Sequence, residues 1–317
     1  MNKNNYIFGS GITGLVTALY FKNFYIIGDG QEQENYLSGP KILRKNIYTE
    51  SFMKRFRLKM RSREYKCAYC YENEFVEELN EELVRKYLKK TRGINYKPTG
   101  NELNDGEKEI IGYDMKELYS LIRSRKNMEN RIIETHVVGI SPQEKTFTIR
   151  NNDLEFCELK EYKKILNTFP IQEFLYLIDP NYPKPRTENK STIHLYLIEF
   201  PELFCRHLLS YYDFVYFIDE EIPYYRIYRT RESRIVCVES MTEDLGDFIN
   251  RYEGRIWKHT ILPFGKIADV GENILYYDGI KHIDYDGIKH IGRYANQTQS
   301  IRLHDVIKSL ELGEINE

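Results

Sequence analysis

Two hydrophobic periods alternate along this chain, and each change of period marks an element. Tyr6–Phe8 is an apolar run that stops at Gly9, after which Leu15, Ala18, Leu19 and Phe21 recur at helical spacing. Phe24–Ile27 is a second apolar run, so the opening predicts strand, helix, strand. Thr49 to Lys54 predicts a short helix. From Arg55 to Arg63 the period is two: Arg55, Arg57, Lys59, Arg61 and Arg63 alternate with Phe56, Leu58 and Met60. That pattern predicts a strand with one apolar and one cationic face. Glu74 to Lys90 predicts a helix through Phe75, Leu79, Leu83 and Leu88, acidic at its start and basic at its end, as the helix dipole favours. Residues 91–109 predict a loop, and Asp114–Ser124 another helix. Strands follow at Arg131–Ile140, Thr146–Arg150, Leu154–Leu159 and Lys163–Asn167. A second group follows a rigid loop at Pro180–Pro185: Ile193–Phe200, Phe214–Ile218, Ile222–Tyr228 and Arg234–Ser240, then a helix from Met241 to Tyr252.

The first strand and helix enclose Gly9-Ser10-Gly11-Ile12-Thr13-Gly14. Each glycine has its own reason in a dinucleotide-binding turn. Gly9 permits the tight turn, Gly11 lets a pyrophosphate approach the backbone, and Gly14 lets the helix pack close on the sheet. The helix N-terminus then offers N–H groups and partial positive charge to phosphate. An acid closing the second strand would hold a ribose, and Asp29 stands there, one place after Gly28. The fold class predicted is α/β, with a Rossmann-like domain interrupted in sequence by an α+β unit on an antiparallel sheet.

Composition narrows the partners. Lys and Arg total 46 and Asp and Glu 48, a net charge of −2 that gives no overall attraction to nucleic acid. No apolar run approaches the ~18–20 residues of a membrane span. The opening MNKNNYIFGSG lacks a signal-peptide pattern, and five cysteines fit reduced thiols, so a cytoplasmic location is expected. Cys67-Ala-Tyr-Cys70 is a CxxC, but residues three apart on a strand point to opposite faces, which predicts neither disulfide nor zinc site. No metal is expected. The 27 tyrosines reflect AT-rich codons or a pocket lined by flat faces with hydroxyls, and composition does not separate the two. One tandem duplication stands out: Tyr277-Asp-Gly-Ile-Lys-His-Ile-Asp284, then Tyr285-Asp-Gly-Ile-Lys-His-Ile-Gly292. Two copies make no solenoid, and an irregular hairpin is expected.

Four marks, in order along the chain, resemble the FAD-binding superfamily of flavin amine oxidases and UDP-galactopyranose mutases. They are the glycine turn; Leu37-Ser-Gly-Pro-Lys41; Tyr162-Lys-Lys-Ile-Leu-Asn-Thr-Phe-Pro170; and Ile291-Gly-Arg-Tyr-Ala295 with Ser300-Ile-Arg-Leu-His-Asp-Val-Ile307. The resemblance implies FAD held by Gly9, Ser10, Gly11, Ile12, Thr13, Gly14, Asp29, Ser38, Gly39, Pro40, Val137, Thr168, Gly292, Arg293, Arg302 and Leu303. It implies a cofactor domain from 1–50, 130–170 and 265–317, and a substrate domain from 51–129 and 171–264. The segment Pro223-Tyr-Tyr-Arg226 resembles the strand facing flavin and substrate, which makes Tyr224, Tyr225 and Arg226 the candidate catalytic residues.

Three functions stay open. The first is an FAD-dependent oxidoreductase taking a hydride from an amine or related C–H donor. The second is a mutase-like isomerase of a nucleotide sugar, with Arg226 and the basic residues Arg57, Lys59 and Arg61 on the diphosphate. The third is a degenerate FAD binder used as a structural or sensing module. The expected partner is a small molecule, amine or nucleotide-linked, with a homodimer left open.

Overall fold

A computed structural model describes residues 3–28, 42–76, 79–92, 109–150, 157–181, 190–202, 211–230, 234–267, 276–277, 280–281, 285–292 and 302–315. The strands are β1 (Asn4–Phe8), β2 (Phe24–Gly28), β3 (Ile42–Arg44), β4 (Arg63–Tyr71), β5 (Glu74–Val76), β6 (Glu109–Asp114), β7 (Ile132–Glu134), β8 (His136–Ser141), β9 (Thr146–Arg150), β10 (Cys157–Asn167), β11 (Lys190–Glu199), β12 (Phe214–Phe217), β13 (Tyr224–Arg229), β14 (Ile235–Ser240), β15 (Arg255–Ile267), β16 (Tyr276–Tyr277), β17 (Ile280–Lys281) and β18 (Ile288–His290). The helices are α1 (Ile12–Tyr20), α2 (Ile47–Arg55), α3 (Glu81–Arg92), α4 (Met115–Arg123), α5 (Lys126–Glu129), α6 (Ile171–Ile178), α7 (Gly246–Arg251) and α8 (Leu303–Glu311).

The first sheet runs β7-β2-β1-β10, with β18 also on β10, and all these pairings are parallel. Parallel neighbours need covered faces. One face packs under α1, α2, α4 and α8 through Leu15, Val16, Leu19, Phe52, Leu118, Ile122, Val306 and Leu310. The other face is closed by β8, β9 and α6 through Phe147, Ile149, Phe174 and Leu175. β10 serves both layers. Its first half pairs antiparallel with β9, and its second half pairs parallel with β1, so the two predicted strands at 154–159 and 163–167 join into one.

The second sheet runs β15-β11-β14-β13-β12-β4-β6-β3, antiparallel except for β12 beside β4. Cys67 and Cys70 form no disulfide and lie on opposite faces of β4, as the strand period requires.

Three predictions are corrected. The alternating basic run is not a strand: α2 continues through Arg55, Arg57 takes a left-handed φ of 50°, and the Leu58 amide returns to the Met53 carbonyl at 2.9 Å. Phe52, Met53, Phe56, Leu58 and Met60 pack inward from this helix end, while Arg57, Lys59 and Arg61 are exposed. The helix predicted from Glu74 starts only at Glu81, where Asn80 Oδ1 accepts the Leu83 amide at 2.9 Å. Before it, Glu72 and Asn73, both at positive φ, turn β4 back into β5. The helix predicted over Met241–Tyr252 shrinks to α7. The hairpin expected of the duplication involves the first copy alone, where β16 and β17 pair antiparallel, while the second copy supplies β18 in the parallel sheet. In addition α4 and α6, drawn with the substrate segments, and α2, which straddles the boundary at residue 50, pack against the first sheet.

Candidate active site

The carboxyl ends of β1, β2, β10 and β18 share one edge, where ligands bind in open α/β sheets. Gly9 lies at φ +112° as β1 turns into α1, a backbone that side chains avoid. A Cβ on Gly14 would stand 1.9 Å from the Gly9 carbonyl oxygen, so the helix approaches the turn as closely as glycine permits. A Cβ on Gly11 meets nothing within 4 Å. Gly11 is also the N-cap of α1, without a side-chain cap. The turn is therefore tight at Gly9 and Gly14 and open at Gly11, a cradle that fits a dinucleotide pyrophosphate.

Neighbouring segments hold this shape. Thr168 donates its backbone and hydroxyl hydrogens to the Phe8 carbonyl at 2.8 and 2.7 Å. Its Oγ1 would lie 2.2 Å from a Gly9 Cβ. Ser10 is buried, and a Cβ on Gly28 would meet its Oγ at 2.3 Å, which explains a glycine at the end of β2. Gly292, at φ +89°, brings the chain after β18 against Thr13, whose Cγ2 would stand 2.8 Å from a Cβ there. Ile12 packs on the first core and Val137 on the core below the sheet. At the start of α8 the Arg302 amide donates to Asp305 Oδ2 at 2.8 Å, and Leu303 packs on the first core. His304 follows; burial, with Arg302 and Arg44 adding, outweighs Asp305 and lowers its pKa. Asp29, Ser38, Gly39, Pro40 and Arg293 lie outside the described residues.

Sequence reasoning missed Arg131. Its guanidinium donates to the Phe24, Ala18 and Phe21 carbonyls at 2.8, 2.9 and 2.6 Å, closing the C-terminal end of α1. No local pattern announces such a cap, because its partners lie more than a hundred residues away.

The three candidate catalytic residues do not share a face. The β13–β14 register shifts between Tyr224 and Arg226, a bulge that turns Tyr225 and Arg226 to one side. Tyr224 goes to the other, against Phe217 and Phe248 at ring distances of 4.8 and 4.4 Å. Arg226 grips Glu239 of β14 with two parallel bonds, Nε to Oε2 at 3.0 Å and Nη2 to Oε1 at 2.5 Å. The guanidinium also lies over the rings of Tyr216 and Tyr228 at 5.8 and 5.5 Å. Burial opposes its charge, but Glu239 more than offsets this and holds it protonated. Tyr225 and Tyr228 are pushed well above the ordinary phenol range by burial, with the Glu239 charge adding. These hydroxyls stay protonated and do not serve as bases. Tyr69 and Tyr87 extend the face by packing on Tyr216 at 5.3 and 5.8 Å. Tyrosine is thus concentrated around one charge-neutral pair. Glu239 was not anticipated; its signal was an acid in an otherwise apolar strand, Ile235-Val-Cys-Val-Glu-Ser240.

No protein-family model and no curated protein matches the chain. Solved structures do match along its whole length. A reduced UDP-galactopyranose mutase aligns with a TM-score of 0.70 at 13% identity, covering 100% of this chain and 97% of that one. A CLA-producing fatty acid isomerase from P. acnes aligns at 0.64 and 10% identity, covering 99% and 98%. A putrescine oxidase double mutant, made in a redesign of cofactor binding, aligns at 0.59 and 11% identity, covering 98% and 97%. The chain therefore has the fold shared by these enzymes. Identities this low carry the fold and not the reaction.

Proposed function

We propose that the chain binds FAD and serves as an oxidoreductase for a small amine or related C–H donor. Support for the cofactor comes from the open Gly11 between the tight glycines at Gly9 and Gly14. In this reading Gly11 and the α1 N-terminus hold the pyrophosphate, Asp29 the ribose, Val137 the adenine side, and the segments at Ser38–Pro40 and Gly292–Leu303 the flavin. When bound, FAD supplies hydride acceptance at its flavin ring. Residues 1–50, 130–170 and 265–317 then carry the cofactor, joined by α2, α4 and α6, and the second sheet carries the substrate.

The observation that carries the reaction class is the Arg226–Glu239 pair. A mutase acting on a nucleotide sugar needs uncompensated positive charge for a diphosphate. Here the guanidinium is already neutralised by a carboxylate, and the expected partner cations Arg57, Lys59 and Arg61 sit at an exposed helix end. A neutral pair beside the half-buried rings of Tyr87 and Tyr216 suits a donor of low charge, whose body stacks on those rings. Phenols held protonated remove no proton, so the donor enters as the neutral amine.

Purified protein loaded with FAD and desalted should stay yellow and release peroxide with amines. Turnover of a uridine-diphosphate sugar under reducing conditions, without net redox, would replace this reading with the mutase. Bound flavin that no donor reduces would replace it with the structural or sensing module. A chain that retains no FAD would remove all three.

A further inference from the structure

The duplicated octapeptide has one position that differs: Asp284 ends the first copy and Gly292 ends the second. The contacts described next, which seat the second copy, come from the shared seven residues. Asp286 pairs with Lys145 at 2.6 Å. Ile288 and His290 take their places beside β10, with His290 Nδ1 2.9 Å from Asn167 Nδ2. Ile291 is 2% exposed in the first core, and its amide donates to the Asn167 carbonyl at 2.8 Å. Gly287 at φ +84° has its counterpart in Gly279. The first copy therefore contains each group needed to occupy the same place. A shift by one copy gives up the two-residue β16–β17 pairing and otherwise redistributes connecting chain, leaving residues 268–276 before the strand and 285–301 after it, and loop closure depends weakly on length.

The eighth position decides between the copies. Gly292 sits at φ +89°, and a Cβ there would stand 2.8 Å from Thr13 Cγ2, inside the dinucleotide turn. An aspartate in that place is strained by its backbone, crowds Thr13, and sets a carboxylate beside the phosphate cradle. We propose that the two copies compete for the strand position beside β10, and that Gly292 makes only the second copy compatible with a bound dinucleotide. Resting on the FAD reading above, this adds a regulation of that site. A ligand that binds one of two states draws the population to it. Bound FAD holds the second copy in place, and its loss frees the first copy to exchange in.

The test uses the full chain and reads melting and retained FAD separately. In I291D the second copy cannot enter the core, so the first copy replaces it. The variant should melt cooperatively but retain about tenfold less FAD, as expected when the binding-competent state is the minor one. I283D should match the wild type in both readouts, and I283D/I291D, with no intact copy, should lose the cooperative transition. Adding D284G to I291D should restore part of the FAD. An I291D protein that unfolds like the double variant overturns the proposal, as does equal FAD in I291D and I291D/D284G. If the wild type itself retains no FAD, the cofactor reading fails by itself, and the melting comparison still decides whether the copies exchange.

Discussion

At the scale of single residues, the glycine turn separates folding from binding. A Cβ on Gly14 would stand 1.9 Å from the Gly9 carbonyl oxygen, so G14A forces backbone apart and should cost at least about 3 kcal/mol, measured by denaturant unfolding. Gly11 faces open space. G11V should leave the unfolding midpoint nearly unchanged while abolishing FAD retention; a yellow G11V protein would refute the cradle. Sequence spacing announced the tight place at Gly14 and the open one at Gly11, because each glycine answers a local backbone demand. Arg226 shows where such reading stops. Its type and place were legible, its partner was not, since a cross-strand neighbour is set by register and a bulge. Removing one partner of a buried pair strands the other. E239Q should therefore destabilise by about 2–4 kcal/mol, the lower part of that range because Arg226 is 30% exposed. R226M/E239M, measured by the same unfolding, should recover much of the loss.

At the scale of elements, the errors share a cause. The strict alternation from Arg55 to Arg63 has the period of a strand, yet the chain there is a helix end and a turn. Asn46 caps α2, accepting the Tyr48 and Thr49 amides, and the helix it starts carries Phe52, Met53 and Phe56 into the first core. Burial by a distant partner overrode the local period. In α3 the cap at Asn80 likewise outweighed the apolar spacing that ran back to Phe75, which is 49% exposed. α3 is pinned at its far end by Lys90, whose ammonium donates to the Phe217 and Tyr224 carbonyls at 3.0 and 2.9 Å. Burial pulls Lys90 down to about 8, against the weaker opposing influence of Asp219, Cys70 and Glu220. The unfolded lysine titrates near about 10.4. Between those values the unfolded chain binds more protons than the folded one, so stability rises with pH through that window. The wild type should gain about 1–3 kcal/mol over K90M as pH rises from about 7.5 to about 10, read from paired unfolding midpoints. A constant gap would show that Lys90 is not desolvated as the fold implies.

At the scale of the whole molecule, the carboxyl edge of the parallel sheet is assembled from three distant stretches: the turn at Gly9–Gly14, the end of β10 at Thr168, and the end of β18 at Gly292. Helix α8 adds a fourth tie, since Glu311 accepts from Tyr20 of α1 at 2.5 Å and from Ser51 of α2 at 2.7 Å. The order of these segments was legible because each carries its own glycine or Asn-Thr mark. Their convergence was not, because it depends on which strands become neighbours. A ligand held by all of them binds only the assembled chain, and so stabilises it by mass action. At a hundredfold excess over its dissociation constant FAD should add about 2.7 kcal/mol. For a chain of this size that corresponds to a rise of about 4–8 °C in the melting midpoint. G11V should show no rise while keeping the unliganded midpoint, which separates a lost ligand site from a lost fold. AMP alone, with a phosphate for the cradle but no flavin to reach the Gly292 segment, should give only a small part of the shift. An equal rise with AMP and with FAD would mean that the flavin half makes no contact, and the three stretches would then be a nucleotide site without a redox centre.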